Sequence, residues 1–424
     1  MTGFEASLEY AQSRDDDDEL RRFREYFNFP VEKDGRRNIY LCGNSLGLQS
    51  KLAVQYIEEE LGKWADMCVE GHFRGNRPWV QYHRESTHGL AYLTGANENE
   101  VVAMNSLTIN LHLMLTTFYR PDANKYKVII ESTAFPSDRF AVISQIRLHG
   151  FDPADALLEW QPRDDEKLHM DDLKAMLDEH GSSVALLLLP GVQYYSGQFL
   201  EMAELCALAK DSACTIGLDL AHAIGNIPMQ LHDWAPDFAI WCTYKYLNTG
   251  PGSVGGAFVH SRHLDSAENQ QLHGWWSHER DTRFKMAPDL IPAKGVDAWQ
   301  ISCPAVLSQA PLVASLEIFE EAGIDKLRAK SIELTGYLEF LLQQGFAGRV
   351  ESITPADARG CQLSLVVRDS SVDARSVFEK LDALNVTGDW REPNAIRMAP
   401  VPLYNSFEDV FEFTERLEIA LESA

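Results

Sequence analysis

The stretch 217–252, GLDLAHAIGNIPMQLHDWAPDFAIWCTYKYLNTGPG, decides how the chain is read. Two short apolar runs, 215–219 and 238–242, have the length of buried strands. The first ends on Asp219. The second runs out into Tyr244 and Lys245, 26 residues beyond the acid. The Gly-rich run LNTGPGSVGG that follows lets the backbone turn tightly beside the lysine. In open α/β sheets, functional groups collect at the carboxyl ends of strands. An acid and a lysine at successive strand ends are therefore candidates for one site.

That pair is what a pyridoxal phosphate site needs. The lysine forms a Schiff base with the cofactor aldehyde. The carboxylate pairs with the pyridine nitrogen and keeps it protonated, so the ring can take up electrons. Spacing alone leaves a second reading open, because isolated Asp and Lys residues near strand ends are usually surface groups.

Outward from this segment, strands and helices alternate. Helices are expected over 53–67, 140–149 and 202–210, and strands over 127–131, 184–189 and 257–260. Alternation of this kind implies a parallel or mixed sheet covered by helices. Beyond about residue 300 the texture changes. Long helices over 312–322 and 326–344 precede strands at 362–367 and 395–398, with helices at 374–384 and 407–421. This pattern suggests a smaller α+β domain.

The composition sets limits. The chain has 424 residues, 63 acids and 38 bases, a net charge of −25. Such a surface argues against nucleic acid as a partner, because phosphate backbones are held by Lys and Arg. It argues equally against an anionic membrane surface. No apolar run approaches the roughly 18 residues of a membrane span. The N-terminus lacks the basic start and apolar core of a signal peptide. The seven cysteines, at 42, 68, 206, 214, 242, 303 and 361, show no CxxC or Cys/His zinc spacing. Reduced thiols, a cytoplasmic location and no metal are expected. The acidic tract 15–19 is expected to be a solvated helix start without a function.

The segment from Asp219-Leu-Ala-His222 to Tyr244-Lys245 resembles the core of the fold type I pyridoxal phosphate enzymes, the aspartate aminotransferase superfamily. The full wording is similar to the kynureninase family. The similarity includes LCGNSLGLQ at 41–49, RPW at 77–79, NSLTINLHLML at 105–115, AFPSDRFA at 134–141 and GVQYYSGQ at 191–198. It continues through GWWSHE at 274–279, TRFKM at 282–286 and RMAPVPLYNSFEDV at 397–410. So many ordered matches are far more specific than one motif. The resemblance implies an α/β fold of that type: a large cofactor domain over 51–300 with a mainly parallel, seven-stranded-type sheet. It further implies a small α+β domain over 301–424 and an N-terminal arm, 1–50, packed on the small domain. The implied activity is hydrolysis of kynurenine or 3-hydroxykynurenine to the anthranilate and L-alanine.

Roles follow from the resemblance, each beside a plainer reading. Leu107 and Thr108 are expected to hold the cofactor phosphate, since a helix N-terminus offers free N–H groups; a simple N-cap threonine is the plainer reading. Phe135 is expected to lie on the pyridine ring, with Pro136, Ser137 and Asp138 beside the cofactor. His222 is implied as a cofactor-site residue, where a packing histidine is as good a reading. Lys245 is the expected base, Tyr244 a phosphate contact or proton donor, and Asp219 the ring-nitrogen partner. Trp275 is implied to reach the cofactor of a second subunit in a two-fold dimer. Arg397 matches an arginine that grips the substrate α-carboxylate, which a planar fork suits. His72 matches a position lining the substrate ring.

Two positions depart from the family pattern. Cys303 stands where an asparagine near the substrate ring, and by the same token near the cofactor, is expected in animal members. Pro190 stands where a hydroxyl residue often touches the cofactor. The first puts ring preference in doubt, because a thiol is a weak hydrogen-bond partner. A desulfurase or aminotransferase would share Asp219 and Lys245, but a desulfurase needs a mobile cysteine. The nearest candidates, Cys303 and Cys361, lack a recognisable loop motif.

Overall fold

The structure, a computed structural model, describes residues 3–30, 37–266 and 269–423. The arm opens with helix α1 (Leu8–Asp16), started by Ser7, whose hydroxyl accepts from the Tyr10 amide at 3.2 Å. Three two-residue strands follow: β1 (Phe27–Asn28), β2 (Ile39–Tyr40) and β3 (Gln49–Ser50), with β1 antiparallel to β3.

The large domain starts with α2 (Lys51–Met67) and α3 (Thr87–Thr94). It continues through β4 (Val101–Met104), α4 (Leu107–Phe118), β5 (Lys127–Glu131), α5 (Pro136–Leu148), α6 (Pro153–Ala156) and β6 (Leu157–Trp160). Next come α7 (Met170–His180), β7 (Val184–Pro190), α8 (Met202–Asp211), β8 (Thr215–Asp219), α9 (Leu231–Trp234), β9 (Phe238–Cys242) and β10 (Gly255–Val259). The strands form one seven-stranded sheet in the order β4-β10-β9-β8-β7-β5-β6. Strands β9, β8, β7, β5 and β6 run parallel, and β10 is antiparallel to both neighbours, so the sheet is mixed.

Alternation along the strands builds two apolar layers. Leu186 and Leu188 of β7 join Val128 and Ile130 on the face covered by α4 and α5. Leu187 and Leu189 join Leu218 and Trp241 on the other face, under α3 and α8. Central strands buried on both faces read as continuous apolar runs, and β7 is one, VALLLLP. Strands β4 and β6 and helices α3 and α7 are additions to the sequence-based expectation.

The C-terminal part contains α10 (Val306–Ala322), α11 (Ile324–Gly345), β11 (Val350–Ser352), β12 (Leu363–Val367) and α12 (Ala374–Ala383). It ends with β13 (Val386–Thr387), β14 (Asp389–Arg391), β15 (Ala395–Met398) and α13 (Phe407–Glu422). Strands β11-β12-β15-β14 form an antiparallel sheet. Helix α10 falls on the small-domain side of a boundary at 300, yet its Leu312, Leu316 and Phe319 are buried in the large-domain core. Gly323, at φ +81°, separates it from α11, whose Leu334, Leu338 and Leu341 pack in the small-domain core. A composition change marks α10 as apolar without saying which surface it meets.

The arm touches both domains. Helix α1 packs on α13, and β2 runs parallel to β13. Phe23 and Phe27 enter the large-domain core, with Phe27 edge-on to Tyr404 at 5.2 Å. The acidic tract is more than a solvated helix start. Buried Asp15 accepts from the Phe407 and Glu408 amides at 2.7 and 2.9 Å, capping α13 from across the domain. Asp18 pairs with buried Lys330 at 2.7 Å, while Asp16 and Asp17 face solvent. The first amides of a helix need acceptors and favour a negative charge. Asp15→Ala is accordingly expected to cost about 1–2 kcal/mol of stability, read from urea-unfolding midpoints. An unchanged midpoint would show that the cap contributes nothing.

Candidate active site

The strand directions bring Asp219, Lys245 and several other predicted residues to one edge of the sheet. Gly255 at the start of β10 lies opposite both Met104 and Cys242, so β4 and β9 end on the same side. Parallel β5, β7 and β8 end there too, on Glu131, Pro190 and Asp219. A cavity of about 210 Å³ opens at this edge. Leu107, Thr108, Phe135, Ser137 and Asp138 line one part of it, and Asp219, His222, Tyr244 and Lys245 the other. Pro136 is the first residue of α5, where its missing N–H costs nothing, and does not line the cavity.

Lys245 Nζ lies 2.9 Å from His222 Nε2 and 5.9 Å from the centre of the Phe135 ring. Burial, then the charge of Lys245, holds the His222 pKa well below that of a free imidazole. A neutral imidazole can accept the lysine hydrogen bond, while His222 Nδ1 is buried without a partner. The lysine loop is held from the arm. The Gly47 amide donates to the Tyr244 carbonyl at 2.8 Å. A Cβ on Gly47 would lie 2.3 Å from the Lys245 carbonyl oxygen, so only glycine fits this approach. This accounts for the second glycine of LCGNSLGLQ.

Three carboxyl groups share the cavity. Asp219 accepts from the Ala221 amide at 2.8 Å. Burial, then the Asp219 charge, pushes Asp138 well above the usual carboxylate range. Burial at the end of β5 pushes Glu131 up to about 8. Asp219, at the end of β8, is the carboxyl group placed to face a ring nitrogen. Glu131 was visible only as the last residue of a strand, and Tyr194 only inside the GVQYYSGQ motif. Tyr194 meets Phe135 edge-on at 5.2 Å. Pro190 lines the cavity beside Asp219, its register partner. Burial raises the Tyr244 pKa, so its hydroxyl keeps its proton at neutral pH.

The first turn of α4 meets the cavity with no side chain capping it. Its free amides suit a phosphate. Gly255 lies close beneath, where a Cβ would come within 3.1 Å of the Leu107 nitrogen. The uncapped helix end, a flat aromatic wall at Phe135, the carboxylate of Asp219 and the amine of Lys245 fit pyridoxal phosphate.

Arg397 is 1% exposed and sits behind Tyr194, donating to its carbonyl at 2.8 Å. His72, Trp275 and Cys303 do not join Lys245 within one chain. His72 and Cys303 line a separate cavity of about 480 Å³ with Trp79 and Trp276. Trp275 is 49% exposed, its indole N–H bonded to the Arg283 carbonyl at 3.1 Å. Cys361 is fully buried, and burial pushes its thiol up to about 12, which rules it out as a mobile nucleophile.

Solved structures share this architecture. A cysteine desulfurase from Thermococcus onnurineus NA1 superposes with a TM-score of 0.76 at 18% identity, covering 94% of this chain and 100% of that one. A C-DES variant with glycine covalently linked to its pyridoxal phosphate cofactor gives 0.76 at 18% identity, covering 90% and 97%. These likenesses show a shared architecture, that of fold type I. Among curated proteins, the kynureninase of Xanthomonas campestris pv. campestris strain B100 is 49% identical over 97% of each chain. That of Myxococcus xanthus strain DK1622 is 47% identical over 98% of this chain and 97% of its own. Residues 327–417 match the kynureninase C-terminal domain family. The chain belongs to the kynureninase family.

Proposed function

We propose that the chain hydrolyses L-kynurenine or 3-hydroxy-L-kynurenine at the Cβ–Cγ bond, giving anthranilate or 3-hydroxyanthranilate and L-alanine. The reading places it in tryptophan catabolism and NAD biosynthesis, in the cytoplasm. The observation that carries it is the convergence of Lys245, His222, Asp219 and Phe135 with the uncapped end of α4 in one cavity, in a chain of this family.

Leu107 and Thr108 would hold the cofactor phosphate, Phe135 would flank the ring and Asp219 would take the ring nitrogen. When bound, pyridoxal phosphate would supply an electron sink for negative charge developing at Cα and Cβ of the substrate. The chain's own groups do the rest. Arg397 orients the substrate through its α-carboxylate. Lys245, freed by the substrate amine, removes the α-proton, with His222 as its neutral hydrogen-bond partner. Tyr244, still protonated, is the donor to the leaving carbon. Water adds to the substrate's γ-carbonyl, and collapse of the resulting diol breaks the carbon–carbon bond.

A second copy of the chain completes the site in this reading. Trp64 and Phe73 are 59% and 55% exposed, and Phe73, Phe284 and Trp275 form an aromatic run with ring separations of 5.4 and 5.3 Å. A surface this apolar favours burial against a partner. A two-fold dimer would carry His72, Trp275 and Cys303 to the other subunit's cavity. Among the described residues, no helix is long and apolar enough to cross a membrane.

The test is a side-by-side measurement of kcat/KM for the two substrates on the purified protein. Cleavage of neither would sink the reading. Cys303→Asn is expected to shift the ratio of the two specificity constants toward the 3-hydroxylated substrate, by roughly tenfold for one added hydrogen bond of about 1.4 kcal/mol. A ratio that stays put means Cys303 does not set ring choice.

A further inference from the structure

Arg397 of β15 is the register partner of Asp389 on β14, and the two side chains meet. Its fork is already engaged. Nη1 donates to the Tyr194 carbonyl at 2.8 Å, and Nη2 donates both to Ser45 Oγ at 3.0 Å and to Asp389 Oδ2. Nε–H is buried without a partner. Asp389 Oδ2 also accepts from Arg391 Nη2 at 3.0 Å and from Ser45 Oγ. One carboxylate therefore bridges two arginines.

Donor counting makes this arrangement consequential. A two-pronged grip on a carboxylate uses parallel N–H groups on neighbouring nitrogens, either Nη1 with Nη2 or Nε with Nη2. Both choices need Nη2, and both Nη2 hydrogens are taken. The free Nε–H and the second Nη1–H lie on different sides of the guanidinium and make no fork. An incoming carboxylate beside Asp389 would also set two negative charges against one another. Asp389 has somewhere to go, because Arg391 already holds it. Without Asp389, the buried guanidinium would rest unpaired, which is costly.

We propose that Asp389 is a latch on Arg397: it occupies the Nη2 position in the resting protein and is displaced on to Arg391 when the substrate carboxylate arrives. The proposal rests on the carboxylate-binding role of Arg397. Asp389 and Arg391 are thus positioning residues that set substrate affinity through Arg397. Apparent affinity is reduced by the fraction of molecules in which the latch is closed.

The test is calorimetric titration of the pyridoxal phosphate-loaded protein with 4-oxo-4-phenylbutanoate. This probe has the aryl ketone and carboxylate but no amine, so it does not react. Asp389→Asn is expected to bind it roughly tenfold tighter, as for a latch closed about nine-tenths of the time. Arg391→Gln, which removes the refuge of Asp389, is expected to weaken binding by a similar factor. Butyrophenone, which lacks the carboxylate, should bind both variants as it binds the wild type, whereas a merely structural role would move both probes. Unchanged or weaker 4-oxo-4-phenylbutanoate binding by Asp389→Asn overturns the latch. Should that variant not fold, unchanged or tighter binding by Arg391→Gln overturns it instead. Arg397→Gln separates the two levels. If it leaves 4-oxo-4-phenylbutanoate binding intact, the carboxylate role of Arg397 itself fails. If it weakens binding while Asp389→Asn does not tighten it, only the latch fails.

Discussion

Lys245→Ala is expected to leave a folded protein whose kcat is lower by a factor on the order of 10³ or more. The magnitude combines the loss of a positioned general base with the loss of the covalent cofactor link. The fold should survive because the loop is held by backbone. The Lys245 carbonyl accepts from the Asn248 amide at 3.0 Å, and the Gly47 contact is to the Tyr244 carbonyl. Among the described residues, the side chain takes with it the hydrogen bond to His222 and the contact with the Phe135 ring. The measurement pairs steady-state kinetics with the visible absorbance of cofactor bound through the lysine. That absorbance should be present in the wild type and absent in the variant. A wild type without it, or a variant that still cleaves kynurenine, defeats the proposed chemistry.

Arg397→Lys is the second large effect. The guanidinium reaches Tyr194, Ser45 and Asp389 at once because its donors are spread over a plane. An ammonium is a compact point charge and cannot span them or grip a carboxylate with two parallel bonds. The position is buried, so a misplaced charge is poorly compensated by water. An increase in KM on the order of 100-fold is expected, within the range for disrupting a buried charge pair. The cofactor absorbance should be unchanged, since Arg397 does not line the Lys245 cavity. Unchanged kinetics would remove the carboxylate role.

The local part of this site was legible in the chain, and the assembled part was not. Strands β5, β8 and β9 matched their expected bounds because each is a short apolar run with clear ends. Strands β4 (VVAM) and β6 (LLEW) are four residues each, too short to show a period. Helix α7 (MDDLKAMLDEH) carries four acids that mask its apolar stripe. Asp219 and Lys245 announced themselves because they end neighbouring strands in a single segment. Glu131 joins them only through the order β5-β7-β8, which no local pattern encodes. Asp15 looked solvated because its partners, the amides at 407 and 408, are nearly 400 residues away. His72 and Cys303 were expected at the substrate but lie in a different cavity of the chain. Their position relative to Lys245 depends on a second chain, which one sequence does not specify.

The arm also bears on the order in which the molecule can be built. Residues 39–47 come before the large domain in the chain, yet among the described residues the strand partner of β2 is β13, at 386–387. Asp15 likewise waits for 407–408. The sheet of the large domain can form from residues 101–259 well before then. Gly47 needs only the Tyr244 carbonyl to press on the lysine loop, but Ser45 can reach Arg397 only once β15 has been made. Long-range closures of this kind come late because their loop entropy must be overcome first. The nascent chain therefore carries Lys245 long before it has a finished place for it, and a reactive amine is not completed as a site until its C-terminal partners exist.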